Sequence, residues 1–242
     1  TCALPISGIL DNPLLNTTLD LDLPKRLEKL RDIAVSTNGE YAAAIGINPS
    51  AAITCVKPEG TVSQLTGTAS GIHANHSQYY IRRVRSDNKD PLTQFLKDSG
   101  FPWEPCVMKP DSTTVFSFPM SVAPTAVFRD DLTAIQHLDL WLTYQRHYCE
   151  HKPSVTISVK EEEWPEVGAW VWKHFDECTG VSFLPHDGGT YRQAPYETID
   201  VSEYNRLKAQ MPETIDWEAF KEGTDNVEGT QTLACTAGGC EI

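Results

Sequence analysis

The sequence contains no apolar run that approaches the ~20 residues needed to span a bilayer, so we predict no membrane-spanning segment. Basic residues are scarce, with 20 Lys and Arg against 33 Asp and Glu and a formal net charge of −13. This balance disfavours a surface for DNA or RNA, but a local phosphate site is compatible with it. The 242 residues suffice for one or two domains with a sizeable core.

Zinc-type cysteine spacings and a secretory signal are also lacking. Seven cysteines in such a sequence are typical of reduced thiols in a cytoplasmic protein. Two of them, Cys235 and Cys240, lie on a Gly-rich segment near the last residue. Gly238 and Gly239 would let this segment close a disulfide, so we predict a mobile redox dithiol. The alternative is two unpaired thiols on a frayed terminus.

We expect three segments along the chain. Residues 1–7 lack an initiator Met and resemble translated sequencing-adapter DNA, so they are left out of the fold prediction. Residues 8–222 are expected to form the folded part, and 223–242 a flexible tail that carries the dithiol. We also expect the chain to be the C-terminal part of a longer protein.

Strands and helices alternate between about residues 50 and 210. Helical spacing and cap residues predict helices at 24–45, 91–99, 131–149, 161–178 and 201–210. Short β-type runs predict strands at 52–56, 79–85, 113–119, 154–159 and 181–184. The alternation predicts an α/β architecture with a largely parallel sheet, whose functional loops follow the carboxyl ends of the strands.

The segment from Lys57 to Ser63 directly follows one of these strands and could hold a phosphate. Gly60 allows close backbone approach, Thr61 and Ser63 carry hydroxyls, and exposed amides can form an anion-binding nest. It is not a Walker loop, because no Gly-Lys-Ser/Thr follows at the required spacing. Taken alone, an ordinary strand-to-helix turn is the favoured interpretation.

The other clusters of reactive residue types favour structural roles. His73 and His76 lie three positions apart in a loop, but the absence of a third ligand nearby disfavours a metal site. His147, Cys149, Glu150 and His151 cluster at the end of a predicted helix and could indicate zinc or a Cys-His nucleophile, but a helix C-terminus that favours cationic side chains is the preferred interpretation. The run Glu161 to Glu163 opens a helix, where negative charge complements the dipole. We expect arginines 82, 83 and 85 to be salt-bridged or surface groups rather than catalysts, with contact to a phosphate as the alternative. Cys55 and Cys178 are expected to be inert thiols. Cys106 lies in a Pro-rich loop with no visible base.

Several segments, taken in order, resemble the C-terminal part of the monomeric, adenosylcobalamin-dependent (class II) ribonucleoside-triphosphate reductases. The resemblance covers nearly everything after residue 7. Its segments are 45–49, 52–64, 69–73, 79–85, 115–119, 152–157, 182–185, 190–197 and the terminal Cys235-x4-Cys240.

The resemblance implies the later strands of a ten-stranded α/β barrel. It implies replacement of the ribose 2′-hydroxyl of a ribonucleoside triphosphate by hydrogen, started by adenosylcobalamin through a thiyl radical. It also implies thioredoxin as the reductant, a monomeric parent enzyme, and deoxynucleotide effectors that bind a missing N-terminal part. The hard radical chemistry would belong to the cofactor.

By position, the resemblance assigns substrate phosphate to Pro58, Gly60, Thr61, Val62 and Ser63. It assigns the redox shuttle to the terminal pair, Cys235 and Cys240. The Asn-Pro-Cys-x-Glu context of the family's radical cysteine does not occur here, so we predict that this chain alone is inactive. Two other hypotheses stay open: a thiol-redox relay that uses the terminal dithiol, and a nucleotide-binding module that uses the 57–63 loop.

Overall fold

The computed structural model describes residues 4–186 and 191–221. Eight strands and six α-helices occur in this part of the chain. In chain order they are β1 (Leu4–Ile6), α1 (Leu23–Ile45), β2 (Thr54–Val56), α2 (Val62–Thr66), β3 (Tyr79–Asp87), α3 (Pro91–Asp98), β4 (Trp103–Pro105), β5 (Thr113–Ser121), α4 (Ala134–His147), β6 (Val155–Val159), α5 (Trp164–Lys173), β7 (Val181–Pro185), β8 (Tyr196–Thr198) and α6 (Val201–Lys208). The mixed α/β class predicted from the sequence is confirmed.

The described part of the chain divides into two compact units. In the described residues, the first unit comprises 4–75 and 123–186, and the second comprises 76–122 and 191–221. Each unit is therefore built from two separate stretches of sequence. The expected tail at 223–242 lies outside the described residues.

The first unit contains short parallel strands. β1 pairs with β2, and β6 pairs with β7, both in parallel. The start of the β6 segment also runs beside β2, because Glu150 N–H donates to Thr54 O (3.0 Å) and Ser154 N–H donates to Val56 O (3.2 Å). The strand β1 was not predicted, because it lies in the excluded segment 1–7. Its last residue, Ile6, packs against the core.

The core of the first unit lies around α4. This helix begins at Thr133, whose side chain accepts from Gln136 N–H while the Gln136 side chain accepts from Thr133 N–H, a capping box. Its fully buried side chains include Leu138, Trp141 and Tyr144, which pack with Leu23 and Leu27 of α1 and with strand residues of the same cluster. One cluster of buried side chains thus joins α4 to α1 and to the strands of this unit.

The second unit contradicts the prediction of a largely parallel sheet. Its four strands are arranged in the order β4-β5-β3-β8, and every neighbouring pair is antiparallel. The helix α3 does connect β3 and β4, which run in the same direction. A tight turn after β4 then reverses the chain, and β5 inserts between these two strands. The alternation of elements in a sequence does not reveal such an insertion.

The helix predicted over 161–178 is interrupted at both ends. Only Trp164–Lys173 is α-helical, between two 3-10 turns at Glu161–Glu163 and Phe175–Glu177. Glu163 caps two elements at once, because its carboxylate accepts from Ala134 N–H (3.0 Å) and from Lys160 N–H (2.9 Å). A proline in the first turn of α5 then starts the regular helix.

Candidate functional site

The loop 57–63 connects the carboxyl end of β2 to the start of α2. Thr61 is the N-cap residue, and the helix runs over Val62–Thr66. The predicted strand–loop–helix context is therefore confirmed. Loops at the carboxyl ends of parallel strands are the usual place for ligands in α/β proteins.

Four consecutive backbone amides in this loop have no acceptor among the described residues. They belong to Gly60, Thr61, Val62 and Ser63, whereas Gln64 N–H already donates to Thr61 O (3.0 Å). Residues 60–62 are exposed to solvent. Unsatisfied donors at the start of a helix attract negative charge, so these four amides are available to donate to an anion.

The side chains of the loop contribute less than the sequence analysis expected. The Ser63 hydroxyl is buried and donates to Glu59 O, so it is already committed within the loop. Lys57 is exposed and positive, but the Glu59 carboxylate lies on the same loop and offsets its charge. The attraction for an anion therefore comes chiefly from the backbone amides and from the Thr61 hydroxyl.

A second loop, which contains Ser70 and Gly71, packs against the first loop. Ser70 Oγ accepts from Glu59 N–H at 2.7 Å. Gly71 has φ +56°, and a Cβ at this position would lie 2.7 Å from Lys57 O. Only glycine combines this backbone conformation with so close an approach. The two loops are thus fixed to each other by one hydrogen bond and one backbone contact.

Asp11 and Ser7 hold the second loop in turn. The Asp11 carboxylate accepts from Ala69 N–H (2.7 Å) and from the Asn75 side chain (2.5 Å). Ser7 Oγ accepts from Gly71 N–H (2.9 Å). Sequence reasoning missed Asp11, because an acidic residue some sixty positions away from its partners gives no local signal.

Two histidines complete the support, of which His73 is half-buried and His137 is buried. His73 Nδ1 contacts Ser70 O (2.9 Å), and its Nε2 accepts from Thr156 N–H (3.0 Å), an arrangement that requires the proton on Nδ1. Burial lowers the pKa of His73. Burial also lowers the pKa of His137, to about 4, where Nε2 donates to Ile72 O (2.8 Å). His137 was not predicted either, because its partner Ile72 lies 65 positions away.

These contacts argue against His73 as a metal ligand, because both of its ring nitrogens are occupied. In the second unit, His76 contacts Thr198 Oγ1 (3.2 Å) and stacks beside Tyr80 and Tyr196. Across residues 4–186 and 191–221, no three His, Cys, Asp or Glu side chains converge where they could hold a metal ion.

The cluster after α4 is structural, as the sequence analysis favoured. His147 Nδ1 lies 2.8 Å from Glu28 Oε1. Glu150 Oε2 accepts from the backbone N–H groups of Ile53 (3.0 Å) and Thr54 (3.2 Å) and so extends the pairing of β2. Burial raises the pKa of the Cys149 thiol to about 12. A thiol of this kind is a poor nucleophile at neutral pH.

The arginines of β3 also have internal partners. Arg82 donates to Tyr196 Oη (2.5 Å), Arg83 pairs with Glu197 (2.6 Å), and Arg85 donates to Gln193 O (2.9 Å). The ion pair predicted for these residues is confirmed at Arg83. Arg82 and Arg85 instead donate to neutral oxygens.

The cysteines differ in their surroundings. Cys55, Cys106, Cys149 and Cys178 are free thiols, and burial raises the pKa of Cys55 and of Cys178. Burial also opposes ionisation of Cys106, but backbone N–H groups of residues 108 and 109, with Arg85, outweigh it and lower its pKa. The predicted shuttle residues, Cys235 and Cys240, lie outside the described residues.

A cavity of about 310 Å³ lies at the amino ends of β6 and β7, lined by residues such as Thr156, Cys178 and Ser182. It is far smaller than a corrin cofactor, so we assign no cobalamin contact to it.

Of the helices in the described part of the chain, none is both long and apolar enough to cross a membrane.

Comparison with known proteins gives one consistent result. The adenosylcobalamin-dependent ribonucleoside-triphosphate reductase of Euglena gracilis is 29% identical over 221 residues, which cover 90% of this chain and 30% of that protein. The reductases of the same name from Levilactobacillus brevis and Lactobacillus leichmannii are 27% and 26% identical, each over 225 residues. The chain spans about 30% of the length of these relatives. No protein-family profile matches it.

The structural comparison agrees. The crystal structure of a B12-dependent (class II) ribonucleotide reductase superimposes with a TM-score of 0.72 and 26% sequence identity, over 86% of this chain and 29% of that one. The resemblance to adenosylcobalamin-dependent ribonucleoside-triphosphate reductases that the sequence motifs indicate is therefore confirmed over about 90% of the chain.

Proposed function

We propose that this chain is part of a cytoplasmic, adenosylcobalamin-dependent ribonucleoside-triphosphate reductase, and that the loop 57–63 binds the substrate phosphates. One observation carries the second statement: four consecutive amides, from Gly60 to Ser63, point to no acceptor among the described residues. The family resemblance of the sequence motifs supports the same loop, because it implies that residues 58 and 60–63 bind the substrate phosphates. The complete enzyme would convert ribonucleoside triphosphates to deoxyribonucleoside triphosphates.

Within that enzyme, the described residues would bind and orient the substrate. The backbone amides would hold the phosphates, and the second loop with Asp11 would keep these amides in place. Adenosylcobalamin, when bound, would supply the radical chemistry. We assign none of the described residues to the cofactor and derive no step through it.

We further propose the finer features that the family resemblance implies. The first unit would supply later strands of a ten-stranded barrel. Cys235 and Cys240 would reduce the active-site disulfide by thiol–disulfide exchange and be reduced in turn by thioredoxin. Deoxynucleotide effectors would bind elsewhere in the complete enzyme.

Titration of the ¹⁵N-labelled chain with inorganic triphosphate tests the phosphate loop. We expect the amide resonances of residues 60–63 to shift with saturation, while that of Gly67, at the other end of α2, moves little. If the amides of 60–63 do not respond while others do, the phosphate assignment is wrong.

Activity is tested in a chimera, in which this chain replaces the matching 30% of the Euglena gracilis relative. We expect deoxynucleotide formation that requires both adenosylcobalamin and thioredoxin, and none from this chain alone. Changing Cys235 and Cys240 to Ser should then abolish multiple turnover but preserve a single turnover. Complete loss of the single turnover would contradict a shuttle role.

A further inference from the structure

An apolar stripe runs along α1, with one polar residue, Thr37, on its line between Ala34 and Tyr41. At 3.6 residues per turn, its apolar side chains project within about 60° of one line. They are Leu23, Leu27, Leu30, Ile33, Ala34, Tyr41 and Ile45. Continuous stripes of this width belong to helices that pack against something over their full length.

The first part of the stripe is packed as expected. Leu23 and Leu27 are fully buried and belong to the same cluster as Tyr144 of α4. On the opposite side of α1 from the stripe, Glu28 Oε1 lies 2.8 Å from His147 Nδ1 at the end of α4. The stripe therefore begins inside the core of the first unit.

The second part of the stripe is uncovered. The exposed fractions are 40% for Leu30, 54% for Ile33, 69% for Tyr41 and 68% for Ile45. We call these four residues the α1 stripe. Exposure of a contiguous apolar patch in a soluble protein marks an interaction surface.

The second half of α1 is nevertheless well anchored, but from a different side. Asn38 Oδ1 accepts from Ser50 N–H (2.9 Å), and Ala42 is buried under the segment that follows the helix. Both residues lie about 80° to 120° away from the centre of the stripe. The helix is thus held in place while the α1 stripe faces outward.

The length of the relatives and the open strand edges both concern polypeptide that would lie around the first unit. The relatives are more than three times as long as the stretch that this chain matches. Within the described residues, β1 pairs only with β2, and β7 only with β6, which leaves an open edge on each. Parallel strands normally have neighbours and covering layers, so polypeptide is absent from around this same unit.

We propose that the α1 stripe is an intramolecular interface that packs against the part of the reductase polypeptide not spanned by this chain. A second copy of the chain fits less well, because the net charge of −13 on each copy opposes association. The proposal rests on the likeness to the reductases, and it holds or fails independently of the enzymatic activity.

The test is co-expression of this chain with the remaining 70% or so of the Euglena gracilis relative, carrying an affinity tag. The double variant Ile33→Asp/Tyr41→Asp disrupts the stripe. The matched control Ser36→Asp/Ala43→Asp adds the same charge on the opposite, exposed face of α1. We expect the recovered chain to fall at least tenfold for the stripe variant and less than twofold for the control.

Hydroxyl-radical footprinting of the unmodified pair gives a measurement that needs no variant. Oxidation of Tyr41 should decrease at least fivefold when the chain is bound to the tagged polypeptide. Unchanged oxidation, equal recovery of both variants, or no recovery of the wild-type chain would overturn the proposal. Stripe-dependent dimers of the chain alone, seen by sedimentation, would assign the surface to a second copy instead.

Discussion

Substitution of Gly71 by Ala tests how the two loops of the candidate site are fixed to each other. At φ +56° a non-glycine residue costs roughly 1–2 kcal/mol. The new Cβ would also lie 2.7 Å from Lys57 O, where backbone must move, and overpacking of this kind costs typically about 1–3 kcal/mol. We therefore expect Gly71→Ala to lower the free energy of unfolding by roughly 2–5 kcal/mol.

The matched control is Gly67→Ala. Gly67 has a similar φ of +65°, but a Cβ there meets nothing within 4 Å, so only the backbone cost of about 1–2 kcal/mol applies. Urea unfolding followed by fluorescence measures both variants, since the buried Trp141 and Trp170 belong to this unit. Equal destabilisation by the two substitutions would refute the argument that the loops are locked by close approach at Gly71.

Three further predictions concern His137, Glu150 and Cys149. The unfolded pKa of a histidine is about 6.5, and the folded pKa of His137 is about 4, so the folded state binds fewer protons between these pH values. The free energy of unfolding should therefore fall by about 3 kcal/mol as the pH is lowered from 6.5 to 4. In His137→Gln, the dependence of this free energy on pH, measured by urea unfolding, should flatten. Glu150→Ala leaves the buried amides of Ile53 and Thr54 without an acceptor. It should lower the free energy of unfolding, measured by heat or urea, by about 2–4 kcal/mol, and Glu150→Gln should lower it less. Cys149 should react with iodoacetamide about a thousandfold more slowly than a free thiol at pH 8, because burial raises its pKa to about 12; fast labelling in the native protein would contradict its buried position.

Local sequence signals predicted most of the elements. The caps and apolar spacing located α1 and α4 within a few residues, and the strand that ends at Val56 was found with the loop that follows it. These features depend on neighbouring residues only. Strand direction in the second unit depends instead on where β5 inserts, and the sequence does not encode that locally.

The candidate site was predictable in outline but not in its supports. Gly60 and Thr61 indicate a loop that can approach an anion, and the structure adds that the amides, rather than Ser63 Oγ, are available. Asp11 and His137 hold the loop through partners about 60 positions distant. Such roles become visible only when the folded chain brings the partners together.

The divided second unit has a consequence for the order of folding. β3 and β5 pair over nine residues and are close in sequence, so they can associate as soon as both have been synthesised. β8 joins β3 through contacts such as that between Arg82 and Tyr196, 114 positions apart. Because closing so long a loop is slow, β8 would add last to a sheet that already exists. A ribosome-bound chain that ends before residue 191 should therefore display a three-stranded sheet with one edge of β3 still open.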